Sequence, residues 1–167
     1  MSDPNIPPLR QAQSPGFTLR AMGNMPLKTT QHFGIGNNAG TWRLNRFGQA
    51  EDFNERNHGF GFSLDLNSSG SSRVGMLRYK NSVYNNTTAI GLERDFIRTP
   101  KFNAFTMIGV ATGYALPLTP VAGVGAQWMP LTIGKLEVGA FALAIPSINQ
   151  MGDLGLAATI GMAARIN

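Results

Sequence analysis

From Thr41 onward the chain alternates. Phe60, Phe62, Leu64 and Leu66 share one phase of a period-two pattern, with Gly59, Gly61, Ser63 and Asp65 in the other. Near the end, Leu154, Leu156, Ala158, Ile160 and Met162 oppose Gly155, Ala157, Thr159, Gly161 and Ala163. Between them, Ile133, Phe141, Leu143 and Ile145 oppose Gly134, Val138, Ala140, Ala142 and Ala144. Successive side chains of a strand point to opposite faces, so this period predicts strands. Eight are expected, over 41–48, 58–66, 72–80, 83–97, 102–115, 120–129, 132–145 and 154–166. Turn-forming clusters such as NSSGSS, KNS, RTPK, LPLTP and NQMGD lie between them. One face of these strands is bulky and the other small. Closing such a sheet removes its exposed edges and lets the small face line a tight interior. The expectation is therefore an all-β, eight-stranded up-and-down antiparallel barrel; a β-sandwich shares the periodicity and is the alternative.

The alternation is not read before Thr41. Pro4, Pro7, Pro8, Pro15 and Pro26 interrupt the first section, and a proline removes a backbone donor. An extended N-terminal arm over 1–38 is expected, ahead of a barrel domain over 39–167. Extended arms gain affinity by strand addition or groove binding on a neighbour. Ile6, Leu9, Phe17, Leu19 and Met25 are the candidate partner-binding side chains. The same segment has no basic start followed by an apolar run of about 7–15 residues, so no export signal is read.

Composition sharpens the β reading. Charged residues make up 14% of the chain, against about 25% in ordinary soluble proteins. An outer surface covered by lipid or by other protein is implied. The net charge is +5, but Arg43, Arg46, Arg56, Arg73, Arg78 and Lys80 are scattered, and no nucleic-acid partner is expected. There is no cysteine, which excludes disulfides and thiolate metal sites. His32 and His58 have no supporting carboxylate spacing, so no metal is expected. Gly34-Ile35-Gly36 and Gly123-Val124-Gly125 lack the continuation of a phosphate loop. No cofactor is read.

The stretches GTWRLNRFGQAEDFNERNHGFGFSLDL, VGMLRYKNSVYNNTTAIGLERDF and ATGYALPLTPVAGVGAQWMP together resemble the lipid A palmitoyltransferase family of eight-stranded barrels, and in particular its phage and bacterial relatives. The resemblance covers about residues 40–148. It implies an acyl-transfer site made by a His near the end of the first strand and an Asp-Ser pair after the third. Here Arg43 follows Thr41-Trp42 where the His is expected, and the Asp-Ser pair falls on Asn81-Ser82. Arginine stays protonated and cannot activate a serine. No enzyme activity and no catalytic residue are expected. The polar knot Asn54, Glu55, Arg56 and Asn57, with Asn81 and Ser82, is read as a structural turn, in which Glu55 and Arg56 can pair.

Arg73, Arg78 and Lys80 within one short strand argue against a lipid-facing wall. The sequence therefore predicts a non-enzymatic structural subunit of a phage virion, capsid-decorating or tail-associated, with other virion proteins and copies of itself as partners. An outer-membrane lipid A acyltransferase or lipid-binding barrel is the alternative.

Overall fold

The computed structural model describes residues 16–22, 30–38, 41–46, 54, 56–81, 84–114, 116–148 and 154–166. Its strands are β1 (Phe17–Met22), β2 (Thr30–Asn38), β3 (Thr41–Arg46), β4 (Gly59–Asp65), β5 (Ser72–Lys80), β6 (Asn86–Arg98), β7 (Phe102–Ala111), β8 (Thr119–Ile133), β9 (Leu136–Ile148) and β10 (Leu154–Ile166). They form one sheet in the order β1-β4-β5-β6-β7-β8-β9-β10-β2-β3. Because β1 also pairs with β10, the sheet closes on itself. Every pairing is antiparallel, and no helix occurs among the described residues.

Two of the barrel's staves are split. Along β10, residues 162–166 pair with β1 and residues 155–159 with β2. On the other side β1 pairs with β4, and β2 with β3. Thus β1 and β2 share one stave, β3 and β4 share the next, and the ten segments make eight staves. The barrel is the expected eight-stranded one, but its partition differs. The segments expected at 41–48 and 58–66 are two parts of one stave.

The arm boundary is corrected as well. Phe17–Met22 and Thr30–Asn38 are wall strands, so the barrel takes in these parts of the expected arm instead of beginning at residue 39. The prolines fall outside these two segments, which leaves every ladder donor in place. Within β1, Thr18 and Met22 are buried while Leu19 is 47% exposed, the in-and-out alternation of a wall strand. Phe17 stacks on Phe62 of β4 at 5.9 Å between ring centroids. Ile6, Leu9 and Met25 lie outside the described residues.

The lumen is packed. Met22, Phe105, Met129, Phe141, Leu143 and Ala163 form its apolar centre, with Leu77, Tyr79, Met107 and Ile145 against them. The small inner face receives these rings. A Cβ at Gly125 would lie 2.4 Å from the Phe105 ring, and one at Gly161 would lie 2.5 Å from that of Phe141. Expected facing is reversed in β9: Phe141 and Leu143 point inward and are buried, while Ala140 and Ala142 face out. The reason is volume. Glycines on β8 and β10 leave space in the lumen that β9 must fill.

Candidate lipid-facing wall and interior ion network

On its outer wall the barrel carries large apolar side chains. Phe60 is 61% exposed, Leu92 60%, Ile108 69% and Trp128 57%. The strand register shows that outward-facing apolar residues form a belt. Leu19 lies opposite Phe62, Phe62 opposite Met76, Met76 opposite Ile90, and Ile90 opposite Val110. In the other direction Leu19 lies opposite Ala164, Ala164 opposite Val138, and Val138 opposite Leu131. Aromatic residues border the belt. Trp128 pairs with Phe102 near the end that carries Gly16 and Ile166, and Tyr84 and Tyr114 are exposed at the far end.

The inward phase of the same strands holds the ion pairs. Thr18, Ser63, Arg73, Glu93, Asn103, Gln127 and Arg165 are all buried. Arg73 donates from Nε to Glu93 Oε2 at 2.9 Å, from Nη2 to Asp95 Oδ1 at 2.6 Å, and from Nη1 to the Gly70 carbonyl at 3.0 Å. Arg20, on β1, reaches Glu93 through both terminal nitrogens, with Nη2 to Oε2 at 2.9 Å. The same guanidinium donates to Gln127 Oε1 on β8 at 3.2 and 3.3 Å. Asp95 also accepts from Asn103 at 3.0 Å and from Arg98 at 2.8 Å. Arg165 on β10 lies 3.4 Å from Asp65 on β4.

These contacts cross the lumen. Around the ring, β1 is three staves from β6 and three from β8, so Arg20 bolts opposite walls together. Its guanidinium carbon is 5.2 Å from the centroid of Phe105 and 5.7 Å from that of Phe141; Arg73 stands 5.3 Å from Phe105. The rings face the cations, which partly offsets the loss of water around them. A charge buried this deeply is tolerated only when paired and hydrogen-bonded, and each of these is.

At the far end the polar knot and the 81–85 turn form a clasp. Asn54 donates to the Asn81 carbonyl at 3.1 Å and accepts from the Arg56 backbone N–H at 3.1 Å. Asn81 is fully buried. Its amide donates to Thr87 at 3.0 Å and to the Gly113 carbonyl at 2.8 Å, and its Oδ1 accepts from Asn85 N–H at 2.9 Å. Three chain segments meet there. Asn57 is buried beside them, whereas Arg56 and His58 are exposed. Glu55 and Ser82 lie outside the described residues. Arg43 is placed on β3 opposite Gly36, and His32 on β2 opposite Ala157. No group of His, Cys, Asp or Glu suited to a metal occurs among the described residues.

Arg73, Arg78 and Lys80, whose proximity argued against a lipid-facing wall, are separated by the pleat. Arg73 points into the lumen; Arg78 and Lys80 point outward at the far rim. The ion network itself was missed in the sequence. A partial signal was present in β6, where Glu93 shares phase with Thr87, Ala89, Gly91 and Asp95 while Ile90 and Leu92 occupy the other phase; Arg20 and Arg73 share phase with Met22, Leu77 and Tyr79 and gave none.

No family model matches the chain, and no curated protein does. Among solved structures, one described as "Solution NMR structure of de novo designed TMB2.3" is similar over 94% of this chain and 99% of that chain, at 16% identity and a TM-score of 0.47.

Proposed function

We propose that this chain is a membrane-embedded β-barrel with a structural, non-enzymatic role, its lumen plugged by its own side chains. One observation carries the reading: among the described residues large apolar side chains face out around the ring, while the ion pairs of Arg20, Arg73, Glu93 and Asp95 face in. A soluble barrel has the opposite arrangement, because water rewards exposed charge and buried carbon. Hydrocarbon rewards this one. Other proteins, as in a virion, could cover the same wall, but they would have to surround its whole circumference; lipid does so without any specific partner.

The plugged lumen argues against a pore, and Asn81 argues against acyl transfer. Its amide is held by Thr87, Gly113 and Asn85, and an amide cannot supply the charge that orients a catalytic imidazolium.

The test is fractionation followed by electrophoresis. The protein should stay with membranes after alkaline washing, run as a heat-modifiable band, and give no conductance steps in planar bilayers. Recovery in lipid-free particles at fixed stoichiometry would favour the virion assembly reading instead.

A further inference from the structure

The apolar belt is not equally tall all round. On β10 the outward side chains from Leu156 to Ile166 are uninterrupted by any polar residue. On β6 the outward aliphatic run is only Ile90 and Leu92, closed by Thr88 on one side and Arg94 on the other, with Phe96 and Ile97 exposed beyond Arg94 at the rim. Its neighbour β5 repeats this, with Val74 and Met76 between Ser72 and Arg78. The register aligns the two brackets. Arg94 lies opposite Ser72, and Arg78 opposite Thr88, with Lys80 one step further out opposite Asn86.

The difference is large on the scale of a bilayer. At ~3.3 Å per residue and a tilt of ~40°, ten residues of β10 rise ~25 Å, the usual height of an apolar band, but six residues of β6 rise only ~15 Å. Hydrocarbon of ordinary thickness would therefore cover Arg94 at one edge or Arg78 at the other. Neither has a described carboxylate on its own face, since Asp65, Glu93 and Asp95 all point into the lumen. A cation in that position is satisfied by a phosphate brought down to it.

We propose that the β5–β6 face is a lipid-headgroup docking surface. Arg78 and Lys80 hold phospholipid phosphates of one leaflet, Arg94 holds those of the other, and the bilayer is thinned locally along this side of the barrel. The inference rests on the membrane reading above. It adds a direction to the molecule: thin bilayer at β5–β6, full thickness at β8–β10.

Because the chain has no cysteine, single labels report cleanly. Ser72→Cys and Thr88→Cys mark the narrow face; Ala158→Cys and Ala164→Cys mark the tall one. Each carries a nitroxide in vesicles of phosphatidylcholine and phosphatidylglycerol, and accessibility to oxygen is compared with that to a water-soluble nickel complex. The labels at 72 and 88 should read as headgroup-level, those at 158 and 164 as hydrocarbon. In an Arg78→Gln/Lys80→Gln/Arg94→Gln background, nickel access at 72 and 88 should fall several-fold while 158 and 164 stay unchanged. Retention of the heat-modifiable band shows that this background is folded. Unchanged nickel access at 72 and 88 in the neutral background overturns the thinning. Water-exposed labels at 158 and 164 would instead overturn the membrane reading, and this inference with it.

Discussion

Glu93 holds two guanidiniums at once, Arg20 from β1 and Arg73 from β5. Removing its charge takes from Arg20 the carboxylate it pairs with and leaves Arg73 with Asp95 alone. Glu93→Gln should therefore destabilise the barrel by about 3–5 kcal/mol, the range for breaking a buried pair. Urea unfolding in lipid vesicles measures this, and a midpoint equal to that of the parent would show that the network is not a brace. Adding Arg20→Met to Glu93→Gln should recover part of the loss, since one orphaned cation is then gone. Asn81 operates locally. Asn81→Ala removes an amide that ties Thr87, Gly113 and Asn85 together, at a cost of about 1–3 kcal/mol. Limited proteolysis should show faster cutting near 81–85 and 112–118, with the wall strands still protected.

Among the strands, β1 decides closure. It is hydrogen-bonded to β10 on one side and β4 on the other, so deleting Phe17–Met22 exposes two edges at once. Exposed edges pair with other chains. The deletion should abolish the heat-modifiable band and lead to aggregation; a folded barrel after this deletion would restore the arm interpretation of these residues. Strand β10 offers a subtler test through packing. In Gly161→Ala the new methyl meets the Phe141 ring at 2.5 Å, an overpacking cost of about 1–3 kcal/mol. The methyl also comes within 2.6 Å of the Ala21 carbonyl oxygen, so pairing it with Phe141→Leu should remove only the part of the cost that the ring imposes.

For the molecule as a whole, the solvent of the outer wall can be read by placing charge on it. Ile160→Arg lies in the middle of the tall side and should lose about 2–4 kcal/mol of stability in vesicles, whereas Asn86→Arg at the rim should lose only ~0–1. Reversible unfolding from vesicles provides both values. Equal, small costs at the two positions would mean that water or protein, not hydrocarbon, faces Ile160. The plugged lumen is a second property at this scale. Arg20, Phe105, Arg73 and Phe141 stack across it, which is why no conductance is expected.

The sequence by itself determined the β class and most turns, because period two and turn chemistry are local properties. Its eight segments equal the eight staves in number only, since two of them share one stave and the stave of β1 and β2 lies in the expected arm. It also pointed to Asn54, Asn57 and Asn81 as turn residues, since short amides bond nearby backbone wherever the chain bends. Which segments share a stave was decided only by the tertiary structure: β1 and β2 become one stave through pairing with β10, more than a hundred residues away. Facing followed the same rule. Alternation says that Arg73 and Arg78 lie on opposite faces, but not which face is the lumen. That choice belongs to Glu93 and Asp95 on the neighbouring strand, to Arg20 across the barrel, and to glycines that make room for rings from other staves. Pairing of ions and filling of volume are relations between distant residues, and a periodic pattern along one chain contains neither.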